Sequence, residues 1–414
     1  MEDLEEIRNI EDKKGLKWFI TFMKDLSTKT NQFTESVIRG MTNYAVKYNA
    51  INLGQGFPEF APPVELLDRL EQVSHNPKFQ QYPIGHGQKN TRDALAKKYE
   101  YFSGMKVDSD NEIVITCGGT EAMVATLMTI CNKGDKVAIF TPMYENYKTA
   151  CILADAEPVY VALNPDKDYT FDKEELEKVF ANNLKALILC NPSNPCGKVF
   201  TMEEMTFIAE LAKKYDVYVI TDEVYEHMVY DDNKMVYMST LPDMRERTII
   251  CSSMSKTYSI TGWRIGYVIA PKIIMDNIKK VHNFLTIGAP TPLQEAIVVG
   301  LNYPQSYYDN LLKMYSNKMN LMCDGFDKIG IKYHRPQGTY FMLIDLSEYV
   351  KKSGIATDFE FAKTLCEKLG VCVVPCETLF VNEKRRGWFR MHFAKEDDTL
   401  KEALKRFEKI KELF

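Results

Sequence analysis

Hydrophobic residues fall into two textures along this chain. Between about residues 62 and 290, short apolar runs alternate with amphipathic stretches. Ile113–Thr116, Lys136–Phe140, Ala186–Cys190, Val217–Ile220, Thr248–Ile250 and Tyr267–Ile269 are apolar at nearly every position. A strand with one wet face alternates instead, so these runs predict strands buried on both faces. Between several of them, Glu121–Cys131, Asp172–Ala181 and Met202–Tyr215 repeat apolar residues at helical spacing. Strands separated by helices predict an α/β fold whose mostly parallel sheet is sandwiched by helices. Ligands bind such sheets at the carboxyl ends of the strands, where Gly118, Asn191 and Asp222 stand.

After about residue 298 longer charged helices take over, at Tyr307–Ile329, Thr357–Leu369 and Asp398–Phe414. They surround the strand-like runs Tyr340–Ile344, Val371–Val374 and Trp388–Phe393, which together predict a smaller α+β unit. Near the other end, Val37, Met41, Tyr44, Ala45 and Tyr48 share one helical face, with Thr34-Glu35 as its start signal. The expected division is an extension at 1–30, an arm at 31–61 that joins the small unit, a large domain at 62–297 and a small one at 298–414. Within the extension, the apolar patch Leu16–Met23 with Trp18 predicts a helix packing on the body or on a partner subunit.

Composition narrows the classes. At 414 residues the chain can bury a large core, with 45% hydrophobic and 26% charged residues. A net charge of −5 offers nothing to nucleic acid or an anionic membrane. Ten cysteines lack both C-x-x-C pairs and zinc spacing, so neither a disulfide framework nor a metal site is expected. The start, MEDLEEIRNIEDKKG, is acidic where a signal peptide would be basic and then apolar. No apolar run approaches the ~18–20 residues that span a bilayer. The expectation is a soluble, cytoplasmic protein.

Candidate chemistry concentrates after Thr248–Ile250. Cys251-Ser252-Ser253-Met254-Ser255-Lys256 sets a lysine among hydroxyls, and Arg264 in Thr261-Gly262-Trp263-Arg264 follows eight residues on. An amine with a lowered pKa forms a Schiff base with an aldehyde. Hydroxyls and a guanidinium hold a phosphate. A solvated surface lysine is the ordinary alternative. Thr116-Cys117-Gly118-Gly119-Thr120-Glu121 opens a helix with free backbone N–H groups, suited to an anion or to a plain turn. Asn191-Pro192-Ser193-Asn194-Pro195-Cys196-Gly197 follows a strand end and by itself is a rigid turn. Asp222, in Thr221-Asp222-Glu223-Val224-Tyr225, reads also as a helix cap, and Arg390, in Trp388-Phe389-Arg390-Met391, as half of a buried ion pair.

In this order, from Gly54 to Arg390, the segments resemble the pyridoxal-phosphate (PLP) aminotransferases of fold type I, the aspartate aminotransferase superfamily. The resemblance implies pyridoxal 5′-phosphate as cofactor and an amino acid and a 2-oxo acid as substrates. It implies that Lys256 is the Schiff-base lysine, that Asp222 pairs with the ring nitrogen, and that Asn194 and Tyr225 face the phenolic oxygen. Gly118, Gly119, Thr120, Ser253 and Arg264 would hold the phosphate. Tyr144, otherwise an ordinary core aromatic, would stack on the ring. Tyr82, in Gln81-Tyr82-Pro83-Ile84-Gly85-His86-Gly87, would reach the neighbouring subunit's phosphate, which implies a homodimer with shared sites. Arg390 and Asn194 would hold the substrate carboxylate, with Gly56 and Ile38 lining the pocket.

Dicarboxylate-specific relatives carry a second cation, an arginine in the stretch matching His282–Gly288 or a lysine where this chain has Thr120. Neither is present, though another cation could substitute. Phe33–Arg39 and Ile51–Pro58 are similar to the branch that uses aromatic amino acids, methionine, glutamine or kynurenine. The expected function is therefore transfer of the amino group of a neutral, aromatic or sulfur-containing L-amino acid to a 2-oxo acid. The same fold also serves aspartate aminotransferases and carbon–sulfur β-lyases, which yield pyruvate and ammonia without an acceptor. A silent binding domain of the kind found in transcription regulators needs a DNA-binding module, for which residues 1–30 are too short and too acidic.

Overall fold

The computed structural model describes residues 26–33, 35–381 and 385–414. The patch around Trp18 lies outside them. Residues 26–33 form a unit of their own, with a single 3₁₀ turn at Thr30–Gln32. Everything from Glu35 to Phe414 forms a second unit.

In chain order its strands are β1 (Ile51–Asn52), β2 (Ile113–Thr116), β3 (Lys136–Thr141), β4 (Glu157–Asn164), β5 (Thr170–Phe171), β6 (Leu184–Cys190) and β7 (Tyr218–Asp222). They continue as β8 (Thr248–Ser253), β9 (Gly266–Ile269), β10 (Lys332–His334), β11 (Phe341–Asp345), β12 (Val371–Cys372), β13 (Val374–Pro375) and β14 (Trp388–His392). Eight of them form one sheet in the order β2-β9-β8-β7-β6-β3-β4-β5. The pairs β3–β4, β3–β6, β6–β7 and β7–β8 are parallel, whereas β9 runs against both β2 and β8. Every residue of β2, β8 and β9 is buried, as their unbroken apolar runs require. The helix Met202–Lys214 shows why the amphipathic stretches stay helical. Thr201 and Glu204 cap it reciprocally, with Glu204 N–H donating to Thr201 Oγ1 at 3.2 Å and Thr201 N–H to Glu204 Oε2 at 2.9 Å.

The second texture gives a four-stranded antiparallel sheet, β10-β11-β14-β13, and a two-stranded one, β1-β12. Met41 and Ala45 of the helix Val37–Lys47, together with Leu53, share a core with Phe326, Phe361, Leu365 and Phe407. The N- and C-terminal parts thus bury one another. Each such aliphatic or aromatic side chain is worth ~1.5–3 kcal/mol when fully withdrawn from water.

Three expectations need correction. The helix near residue 37 is capped by Ser36, whose Oγ accepts from Arg39 N–H at 3.3 Å, and not by Glu35, while Thr34 lies outside the described residues. The run Val371–Val374 is two strands, since β12 pairs with β1 and β13 with β14 and the chain changes sheet at Val373. The helix from Thr357 ends its α-helical hydrogen bonding at Thr364 and continues as a π turn, Leu365–Leu369, closed by Gly370 at φ +70°. The sequence reading also passed over β4, whose Pro158 argues against a central strand. Pro158 is accommodated because β5 covers only Leu163 and Asn164, leaving that edge unpaired beside it.

Candidate active site

Strands β2, β3, β6, β7 and β8 run one way, so their carboxyl ends meet along one edge of the sheet. All the sequence-derived candidates except Gly118 and Tyr82 line a single cavity there of about 1160 Å³. That is room for a cofactor and a substrate together.

Lys256 stands at its centre. Its Nζ donates to Gly56 O at 2.8 Å and lies 5.8 Å from the centre of the Tyr340 ring. Among the described residues no carboxylate forms an ion pair with it. Desolvation, followed by the charges of Arg264 and Arg390, lowers its pKa to about 8, and Asp222 opposes them. The amine is therefore neutral in a substantial fraction of molecules near physiological pH, as a nucleophile or proton acceptor must be.

Asp222 ends β7 and no helix follows it, which removes the helix-cap reading. Its Oδ2 accepts from Tyr147 OH at 2.7 Å and its Oδ1 from Val224 N–H at 3.2 Å. Desolvation raises its pKa, against the lowering effect of the Tyr147 hydrogen bond. A half-buried carboxylate with two fixed donors and, among the described residues, no ion-pair partner is suited to pair with a cationic ring nitrogen.

The anion cradle is built by absences. Gly118 has φ +80°, and a Cβ there would lie 2.4 Å from Arg264 Nη2. A Cβ on Gly266 would lie 2.4 Å from the Gly118 carbonyl carbon. Two glycines therefore let Arg264 and β9 close onto the N-terminus of the helix Gly118–Ile130, whose free N–H groups favour an anion. Ser253 Oγ lies 2.7 Å from Ser255 Oγ and 3.1 Å from Ile265 O, which aims a pair of hydroxyls at the same place. Gly118 itself sits behind Arg264, and Thr120 is solvent-exposed.

Arg390 is 1% exposed and has no ion-pair partner among the described residues, against the structural ion-pair reading. Its Nη1 donates to Asn194 Oδ1 at 3.1 Å and its Nη2 to Gly54 O at 2.9 Å, over the Phe341 ring. Its Nε has no partner. A buried guanidinium held by neutral acceptors is costly to maintain without an anion. Gly56 has no space for a side chain, since a Cβ would lie 2.3 Å from the Phe341 ring. Tyr225 is buried edge-on to Tyr340, Tyr144 lies edge-on to Tyr147, and Ile38 lines the cavity from the helix Val37–Lys47. Tyr82 is 82% exposed and outside this chain's cavity.

Three residues of the site were not found from the sequence. Ser255 was visible beside Lys256 but unassigned. Tyr147, three positions after Tyr144, is the donor to Asp222. Tyr340 donates to Gly56 O at 3.0 Å across 284 residues of chain, and no local signal marks it. An amine poised to lose its proton, an anion cradle, an isolated carboxylate and an unpaired guanidinium together fit the phosphate, ring nitrogen and aldehyde of PLP and the carboxylate of an amino acid.

Comparison with known proteins gives the same picture. A family model for class I and II aminotransferases matches residues 48–407. The kynurenine–oxoglutarate transaminase of Dictyostelium discoideum is 32% identical over 432 aligned residues, which cover 96% of this chain and 99% of that protein. Kynurenine–oxoglutarate transaminase 3 of Homo sapiens is 33% identical, covering 87% of this chain and 85% of its own. Among solved structures, an Escherichia coli protein with methionine aminotransferase function aligns at a TM-score of 0.87 and 30% identity, over 94% of this chain and all of that one.

Proposed function

This chain belongs to the class I and II aminotransferases, PLP-dependent enzymes of fold type I, and on that premise we propose that it transfers the amino group of a neutral aromatic or sulfur-containing L-amino acid to a 2-oxo acid. The observation that carries the proposal is Lys256, an amine with pKa about 8 set between an anion cradle and the unpaired Arg390. The relatives acting on kynurenine and methionine support the substrate class.

In this reading Ser253, Ser255, Arg264 and the N–H groups of Gly118, Gly119 and Thr120 hold the phosphate. Asp222, fixed by Tyr147, faces the ring nitrogen and favours its protonated form. Asn194 and Tyr225 face the phenolic oxygen, and Tyr144 lies against the ring. When bound, PLP supplies an electron sink for the pair left on the substrate's Cα. Arg390 binds the α-carboxylate of donor and acceptor alike, with two parallel N–H donors. That clamp turns the Cα–H toward Lys256, whose neutral Nζ removes the proton and later returns one. Ile38 offers an apolar wall to the donor side chain. The donor leaves as a 2-oxo acid, and the acceptor leaves as an amino acid by the reverse sequence.

Each site belongs to a homodimer in this proposal, with Tyr82 completing the partner's phosphate cradle. Tyr82, Ile84, Phe284, Leu285 and Ile287 are all exposed, and Gly85 packs beside Asn283, so the loop at Tyr82 and the end of the helix Lys272–Thr286 form one apolar patch suited to a second copy. Ten unpaired cysteines suit a reducing compartment, and we place the protein in the cytoplasm. Among the described residues no helix is long and apolar enough to cross a membrane.

The test is an absorbance titration of the PLP-loaded protein with methionine, phenylalanine or kynurenine and no acceptor. The expected result is bleaching of the visible band with one equivalent of 2-oxo acid released, reversed by adding a 2-oxo acid. Pyruvate formed from a cysteine conjugate with no bleaching overturns the reading. For assembly, an inactive Tyr82→Ala protein mixed with Lys256→Ala should regain part of its activity through hybrid dimers, and sedimentation as a monomer contradicts the shared site.

A further inference from the structure

Two donors share one carbonyl beside the reacting amine. Gly56 O accepts from Lys256 Nζ at 2.8 Å and from Tyr340 OH at 3.0 Å. A carbonyl oxygen carries two lone pairs, so this one is fully engaged. Its loop is fixed, because Asn52 Oδ1 accepts from the Gly54 and Gln55 N–H groups, each at 3.0 Å. Tyr340 is fixed more firmly still. It is fully buried, its own carbonyl accepts from Phe393 N–H at 3.0 Å, and its ring packs against those of Tyr225, Phe341, Tyr315 and His392. Although its ring centre is 5.8 Å from the amine, Tyr340 stands outside the cavity wall. Its hydroxyl therefore meets the amine through the Gly56 carbonyl.

The groups around Lys256 leave that hydroxyl a defined part. Desolvation and the charges of Arg264 and Arg390 oppose a proton on the amine, and Asp222 favours one. His392, on β14 with Arg390, is neutral, since burial and the charges of Lys395 and Arg390 lower its pKa well below the usual value. Burial raises the pKa values of Tyr340 and Tyr225, so both phenols keep their protons. An ammonium gains more than a neutral amine from a free carbonyl lone pair, because hydrogen bonds to a charged group are the stronger ones. Tyr340 occupies the lone pair that would supply that gain. We infer that Tyr340 is a positioning residue for the transamination read above: by filling half of the Gly56 carbonyl it fixes the place where Lys256 Nζ rests and keeps that place from capturing the amine as an ammonium. The amine then leaves its station with its own lone pair ready for a proton.

The experiment compares wild type, Tyr340→Phe and Tyr315→Phe. Tyr315 is the control, a fully buried phenol packed on the Tyr340 ring, whose hydroxyl has no hydrogen-bond partner among the described residues. The first readout is the rate at which each apoprotein takes up PLP across pH 6–10. The wild-type inflection is expected near pH 8. Freeing one lone pair should move it up by roughly 0.5–1 pH unit in Tyr340→Phe and leave it in place in Tyr315→Phe. Tyr340→Met, which also lacks the hydroxyl, should show the same shift if the phenylalanine variant folds poorly. The second readout is turnover of the loaded enzyme. In Tyr340→Phe, kcat should fall about three- to tenfold at pH 7 and approach wild type toward pH 9.5, with the donor KM little changed. An inflection unmoved in Tyr340→Phe, or moved equally in Tyr315→Phe, overturns the assignment. So does a kcat lowered by the same factor at every pH, which is the mark of a purely structural role. A wild type that takes up PLP but transaminates no donor refutes the transamination reading, and the apoprotein inflections still decide for or against Tyr340.

Discussion

Six consecutive residues, Asp222 to His227, feed two polar sites of opposite design. Asp222 and Tyr225 line the open cavity, where Lys256, Arg264 and Arg390 have no carboxylate ion-paired to them among the described residues. Glu223 and Glu226 point into a closed cluster behind it. There Lys98 Nζ meets Glu226 Oε1 at 2.7 Å, Tyr237 OH donates to Glu226 Oε2 at 2.9 Å, and Tyr99 OH and Thr221 Oγ1 both donate to Glu223. Lys98 is more buried than Lys256, yet its partners are all protein. Buried charge alone therefore does not mark function. What marks the cavity is charge left without a partner, whose desolvation cost only a ligand can offset.

The largest effect should separate the two lysines. Lys256→Ala is expected to lower turnover by at least ~10³-fold, since it removes both nucleophile and proton carrier, while the melting temperature moves little. In the intact apoprotein, uptake of PLP should quicken about tenfold per pH unit below pH 8 and level off above it, because the neutral amine is the reactive form. A rate flat across pH 6–9 contradicts the lowered pKa. Lys98→Met should do the reverse. Stranding Glu226 in the core should cost ~3–5 kcal/mol in urea unfolding, and the protein that remains folded should keep near-normal kcat. Adding Glu226→Leu should restore much of that stability.

Tyr147→Phe probes the seam between the sites. It removes the 2.7 Å bond to Asp222, and a hydrogen bond to a charged group is worth about 1.5–3 kcal/mol. Turnover should fall roughly ten- to a hundredfold, with stability less affected, and unchanged turnover would show that Asp222 needs no fixing. The smallest effect is a slope. Burial, and then the charge of Glu226, raise the Glu223 pKa to about 8. Between its ordinary value of 4.5 and about 8, folded Glu223 holds a proton that the unfolded chain has released, so stability falls as pH rises through that window. Glu223→Gln should therefore lose less melting temperature than wild type between pH 6 and pH 9. An identical loss in both proteins would mean that Glu223 is already ionised when folded.

Much of this was legible along the chain because its signals are local. Unbroken apolar runs announced two-face burial, and Asn194, Asp222, Lys256 and Arg264 sit at strand ends with turn chemistry around them. The closed cluster was not legible, since Lys98 and Glu226 lie 128 residues apart and neither stands in a recognisable pattern. Tyr147 and Tyr340 were missed for the same reason, because an aromatic at helical or strand spacing is most simply core.

By itself the sequence determined the sheet, the family and the identity of the groups that bear charge, all of which depend on spacing over a few residues. Only the tertiary structure decided which of those charges found partners. Pairing depends on side chains brought together from distant segments, as Arg390 is held by Asn194 and Gly54 while Lys98 meets Glu226, and no short-range pattern encodes that difference.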